Sequence, residues 1–176
     1  MVLVPIGTAG VSLGCQSQVN YYISSMKQSK QNPSGVLSKL EHVFVYGTLK
    51  RGECREVCWP RAPLSVEPAW TLGALIDLGP YPALLVGCDR VLGELWSFGP
   101  HDIATVFEQL DQIEGTNQSG MPNEYDRVRV TATGQTLGEI SASTYRYANL
   151  RRAAQFTALA ADHVIAGQAY VQWPVQ

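Results

Sequence analysis

Val43-Phe44-Val45-Tyr46-Gly47-Thr48-Leu49-Lys50-Arg51-Gly52 is the stretch on which the reading of this chain turns. An apolar run stops at a tyrosine, and a glycine, a hydroxyl residue and a second glycine follow it. The run predicts a buried strand. The residues after it predict a loop that exposes backbone N–H groups. Gly47 has no Cβ, so a ligand can approach the main chain closely there. Successive N–H groups in such a turn form a small anion-binding concavity.

Outward from this stretch, the pattern after residue 42 is mostly strands. They are expected at Val43–Tyr46, Ala69–Leu78, Ala83–Val86 and Val91–Phe98, the last two separated by a Gly87-Cys88-Asp89-Arg90 turn. Tyr125–Thr133 and Ile140–Tyr147 alternate in polarity, which predicts half-buried strands. Two helices are expected. The first runs from about Pro100 to Glu114, with Gly115 as its stop. Ile103, Val106, Phe107, Leu110 and Ile113 give it one apolar face. The second, Ala-rich, runs from about Leu150 to Ala166, with Gly167 as its stop. Many short strands with two separated helices predict an α+β domain with a curled or closed sheet.

The bulk numbers bound the function. A chain of 176 residues, 45% apolar, suits one core-forming domain with an extension. The net charge of −2 offers no basic excess for nucleic acid or anionic membrane. No run of eighteen apolar residues occurs, so no membrane-spanning helix is expected. Cys54 and Cys58 lack the C-x₂-C spacing of a zinc or redox site, and the three histidines are scattered, so no metal or cofactor is expected. Reduced thiols and a cytoplasmic location are the expectation.

Residues 1–41 differ in charge from the rest, with three lysines and one acid. They read as an N-terminal extension ahead of a domain at 42–176. Val11-Ser12-Leu13-Gly14-Cys15 faintly resembles a lipoprotein cleavage site, but no basic residue precedes the apolar run. Lys27–Gly35 reads as a linker, and a true start at Met26 is one reading of this region.

One carboxylate is misplaced for a surface residue. Glu114 lies eleven residues after Ile103 and four after Leu110. At 100° per residue it returns to the apolar face. It also stands at the helix C-terminus, where the dipole disfavours negative charge. Both effects raise its pKa, which suits a group that takes and returns a proton near neutral pH. The competing expectation is a frayed last turn with Glu114 in water. Asp111, off the stripe, reads as solvated surface. Glu94 lies on an ambiguous strand face. Tyr125 opens its strand with a phenol that either donates a hydrogen bond or only packs. Tyr81-Pro82-Ala83 reads as a structural turn.

Five segments in order resemble the gamma-glutamylcyclotransferase-like family, nearest its gamma-glutamylamine cyclotransferase branch. They are Tyr46–Gly52, Tyr81-Pro82-Ala83, Gly93-Glu94-Leu95-Trp96, Leu110–Gly115 and Tyr125-Asp126-Arg127, together spanning roughly residues 42–147. The resemblance implies a small mixed β-barrel flanked by helices. It implies that Tyr46, Gly47, Thr48 and Leu49 hold a substrate's glutamyl group through backbone amides, that Glu114 is the general acid/base, and that Tyr125 lies near the pocket. It also implies a small γ-glutamyl substrate and release of 5-oxoproline. The chain departs from the family pattern at Cys54-Arg55-Glu56, where many members carry Asn or His, and at Gly167–Trp173, which only echoes a Gly-Asp-Trp ending.

Three other functions fit the same residues. One is a binding or regulatory domain without turnover. Another is removal of a γ-glutamyl protecting group from a biosynthetic intermediate. The third, a cysteine hydrolase, lacks a persuasively placed histidine. Neither the leaving amine nor the oligomeric state is written in the sequence.

Overall fold

The computed structural model describes residues 40–173. The expected N-terminal extension, with its alternative start at Met26, lies outside the described residues except for Leu40 and Glu41. Five strands close into a barrel in the order β1-β3-β2-β4-β5. They are β1 (Glu41–Val45), β2 (Ser65–Asp77), β3 (Pro82–Phe98), β4 (Tyr125–Gly134) and β5 (Gly138–Tyr147). Neighbours are antiparallel except β1 and β5, which meet in parallel at Val43 and Ser143. The fold is therefore α+β around a mixed barrel, as the sequence and its resemblance implied.

The wall sorts its residues by the period of two that a strand imposes. Phe44 pairs with Leu95, and both join Leu84, Ala132 and Ala142 in one buried cluster. Val43 pairs with Trp96, and these join Val45, Phe98 and Tyr147 in a second. The helix α1 (Ile103–Ile113) packs on that second cluster, outside the barrel. Its fully buried Val106 and Leu110 lie on the predicted apolar face, and each such side chain stabilises by about 1.5–3 kcal/mol.

Two expectations fail, for identifiable reasons. Gly87–Arg90 is not a turn but part of the single strand β3. The pairing of β2 with β3 shifts register between Gly73 and Ala74. There, a Cβ on Gly87 would fall 2.4 Å from the Ala74 nitrogen, so glycine serves a close backbone crossing rather than a reversal. The second helix is a single turn, α2 (Leu150–Ala153), whose Asn149 side chain accepts the Arg152 N–H. The chain then leaves the helix and bonds to the sheet, with Leu159 N–H donating to Leu75 O at 2.7 Å. A hairpin follows, β6 (His163–Ile165) and β7 (Gln168–Tyr170). Its two-residue turn has positive φ at both Ala166 and Gly167, as a type I′ hairpin turn requires. Gly167 therefore turns a hairpin instead of ending a helix.

Cys54 and Cys58 are free thiols.

Candidate active site

In the loop after β1 the carbonyls of Gly47, Thr48 and Leu49 are used internally. Gly47 O accepts from Lys50 N–H at 3.1 Å and Thr48 O from Arg55 N–H at 2.9 Å. Leu49 O accepts from the Trp59 indole at 3.0 Å. No acceptor among the described residues takes the N–H groups of Gly47, Thr48 or Leu49. Three consecutive donors are thus left over, on a segment where Thr48 and Leu49 are buried. Such a set carries partial positive charge and favours an anionic ligand.

The loop is braced from β3. One carboxylate oxygen of Glu94 accepts both the Arg51 N–H and the Trp96 indole N–H, each at 2.9 Å. Trp96 in turn stacks on Trp59, with ring centroids 4.4 Å apart. Glu94, ambiguous in the sequence, is the tie between loop and wall.

Gly47 is required for a different reason from the one its sequence implied. A Cβ there would stand 2.7 Å from Pro82 Cγ and 2.9 Å from Cδ. The close approach is made by the protein's own proline. The Pro82 carbonyl also accepts the Tyr125 hydroxyl at 3.0 Å. Tyr125 therefore lines the pocket with its proton already committed, and only oxygen lone pairs remain for a ligand. Tyr46 is similarly engaged. Its hydroxyl donates to Tyr145 O at 2.7 Å and accepts the Leu84 N–H. Burial pushes both phenols above their ordinary range, so both stay neutral.

Glu114 faces the same pocket. It follows the last helical residue and does not fray. Thr116 N–H donates to Asp111 O and Gly115 N–H to Gln112 O, with Gly115 at φ 60°, the pattern of a Schellman C-cap. The Glu114 N–H donates to Leu110 O at 2.9 Å, and its carbonyl accepts the Tyr125 N–H at 3.2 Å. The side chain makes no hydrogen bond or ion pair among the described residues. Burial pushes the carboxyl up to about 7, Arg55 opposes that rise, and Glu124 adds to it.

Asp111 departs from its expected role as solvated surface. It accepts the Tyr145 hydroxyl at 2.7 Å and lies 3.5 Å from the Arg127 guanidinium. Two further pocket residues are Arg55 and Glu124, of which Glu124 carried no signal in the sequence. Glu124 accepts the Tyr81 hydroxyl at 2.9 Å, and the Arg55 guanidinium lies 5.9 Å from the Tyr81 ring centroid. Only the sequence's departure at Cys54-Arg55-Glu56 marked this position. Among the described residues, no group of three His, Cys, Asp or Glu side chains is arranged to hold a metal. None of their helices is long and apolar enough to cross a membrane.

The amide loop and the raised-pKa Glu114 thus line one pocket. The family model described as gamma-glutamyl cyclotransferase, AIG2-like, matches residues 43–170. The chain belongs to this family. The match takes in the last three residues of β1, the amide loop, Glu114 and strands β2 to β5. A relative from Vibrio cholerae, named a putative gamma-glutamylcyclotransferase, is 37% identical over 89 residues, covering 48% of this chain and 67% of the relative. A second, from Niallia circulans, is named a gamma-L-glutamyl-butirosin B gamma-glutamyl cyclotransferase. It is 32% identical over 98 residues, covering 46% of this chain and 61% of its own length. The chain thus spans about two thirds of the length of the curated relatives it matches. Among solved structures, one from Arabidopsis thaliana is 26% identical at a TM-score of 0.48, covering 67% of this chain and 74% of that one.

Proposed function

We propose that this chain is a gamma-glutamyl cyclotransferase that releases 5-oxoproline and an amine from a γ-glutamyl amide. One observation carries the reading: the unpaired Glu114 carboxyl, pushed up to about 7, shares a pocket with the three acceptor-free amides of Gly47–Leu49. The family membership and the names of the two relatives support it.

In this reading the glutamyl α-carboxylate sits on the loop amides, beside Tyr46. The substrate's α-amine folds back on its own γ-carbonyl carbon. A new C–N bond closes a five-membered lactam, and the original amide C–N bond breaks. Glu114 takes a proton from the attacking nitrogen and delivers it to the leaving one, so no water is consumed. Tethering of the two reacting groups supplies much of the acceleration. Proton transfer adds ~10²–10⁴-fold, and a carboxyl that titrates near 7 suits both halves of that transfer. Tyr125 shapes the pocket wall. The reaction draws on no metal or cofactor, and we place the protein in the cytoplasm.

The Niallia relative's name favours a second reading with the same chemistry, removal of a γ-glutamyl group from a larger biosynthetic intermediate. A panel of γ-glutamyl amines, γ-glutamyl amino acids and γ-glutamyl-capped intermediates, assayed for 5-oxoproline by mass, tests both. Release from the simple compounds supports the general enzyme, and release from capped intermediates alone supports the second. No 5-oxoproline from any member rejects both and leaves a binding domain.

A further inference from the structure

The pocket is graded from a buried end to an open mouth. Thr48 and Leu49 are buried, Arg55 and Tyr81 are partly exposed, and Glu124 is exposed. A glutamyl group held on the loop amides therefore directs its leaving amine toward the mouth. The charges there are unequally committed. Glu124 already accepts the Tyr81 hydroxyl. Arg55 is fixed by its backbone, whose N–H donates to Thr48 O. Its guanidinium lies over the Tyr81 ring, but it donates no hydrogen bond and joins no ion pair among the described residues. A partly buried guanidinium has a planar fork of donors that matches a carboxylate. Here that fork opens on a pocket whose own nearby carboxylate, Glu114, is wanted for proton transfer.

We propose that Arg55 is a specificity-determining residue that binds a carboxylate on the leaving amine, so that the preferred substrates are γ-glutamyl amino acids rather than γ-glutamyl derivatives of neutral or polycationic amines. This rests on the cyclotransferase reading for the direction in which the substrate lies. The same positive charge repels a polycationic leaving group.

The test compares γ-glutamyl-alanine with γ-glutamyl-isopropylamide, in which a methyl group replaces the leaving carboxylate. Binding is measured by calorimetry to the full-length Glu114→Gln protein, which needs no turnover. The dipeptide is expected to bind about 10- to 100-fold more tightly, the range of a charge-assisted contact. Adding Arg55→Gln should remove that ratio, and Arg55→Lys should restore part of it. The Glu114→Gln background removes any effect of Arg55 on the Glu114 carboxyl, and both ligands meet the same side-chain amide at that position. Equal binding of the two, no binding of either, or a preference that survives Arg55→Gln overturns the proposal. So does an equal loss on both ligands, which puts the guanidinium on the glutamyl carboxylate instead. Wild-type protein is assayed in parallel for 5-oxoproline. An Arg55-dependent preference without product retains this assignment and rejects the enzymatic one.

Discussion

The Glu114 carbonyl accepts the Tyr125 N–H at 3.2 Å, which joins the C-cap of α1 to the first residue of β4. The bond holds a charged residue at the end of a helix against a barrel wall, where it would otherwise turn to water. The cost of that placement is electrostatic and measurable.

Glu114→Gln should lower 5-oxoproline release by ~10²–10⁴-fold while the protein stays folded. It should also stabilise the fold at alkaline pH. Burial raises the carboxyl from 4.5 to about 7, so the folded state holds a proton that the unfolded state releases. Wild-type stability is therefore full below 4.5 and falls as pH rises to about 7. Gln does not titrate, so its advantage should grow across that window to about 1–3 kcal/mol. Urea melts at pH 4.5 and 8 measure it. An advantage that shrinks toward alkaline pH would contradict the raised pKa.

The same shift fixes the acid limb of activity. Glu114 must be ionised to accept the proton, so kcat/KM should rise through about pH 7. A profile between pH 5 and 9 reads this directly. A limb centred near 4.5 would put the proton acceptor elsewhere.

Gly47→Ala places a Cβ against the Pro82 ring. Displacing the ring also disturbs the carbonyl that receives the Tyr125 hydroxyl. A loss of about 1–3 kcal/mol is expected, as for overpacking in a tight core, with a raised KM. Thermal melts and initial rates test it, and a variant that melts and binds like wild type would show that the ring yields freely.

Glu94→Ala removes the acceptor shared by the Arg51 N–H and the Trp96 indole. Loss of the two charge-assisted bonds should cost about 1.5–3 kcal/mol. Glu94 does not line the pocket, so the effect on activity should fall on KM through a loosened loop. A fall in kcat with KM unchanged would point to a direct part in the reaction.

Local signals in the sequence determined the first strand, its amide loop, the amphipathic face of α1 and the end of that helix at Gly115. A strand period, a helical period and a C-cap glycine are each contained in a few neighbouring residues, so they survive without a tertiary context. The Glu114 direction followed from the same helical geometry. What tertiary structure decided lies in contacts between distant segments. Gly87 reads as a turn until the Gly73–Ala74 backbone is found pressed against it. The Ala-rich run after Ala153 has helical propensity, yet backbone bonds to the β2 edge and the positive-φ pair Ala166-Gly167 send it into a hairpin. Asp111 reads as surface until the Tyr145 hydroxyl reaches it from β5. Arg55 and Glu124, 69 residues apart in the chain, come to one mouth only because the barrel closes. Propensity differences amount to less than about 1 kcal/mol per residue, which a single well-placed long-range bond can match or exceed.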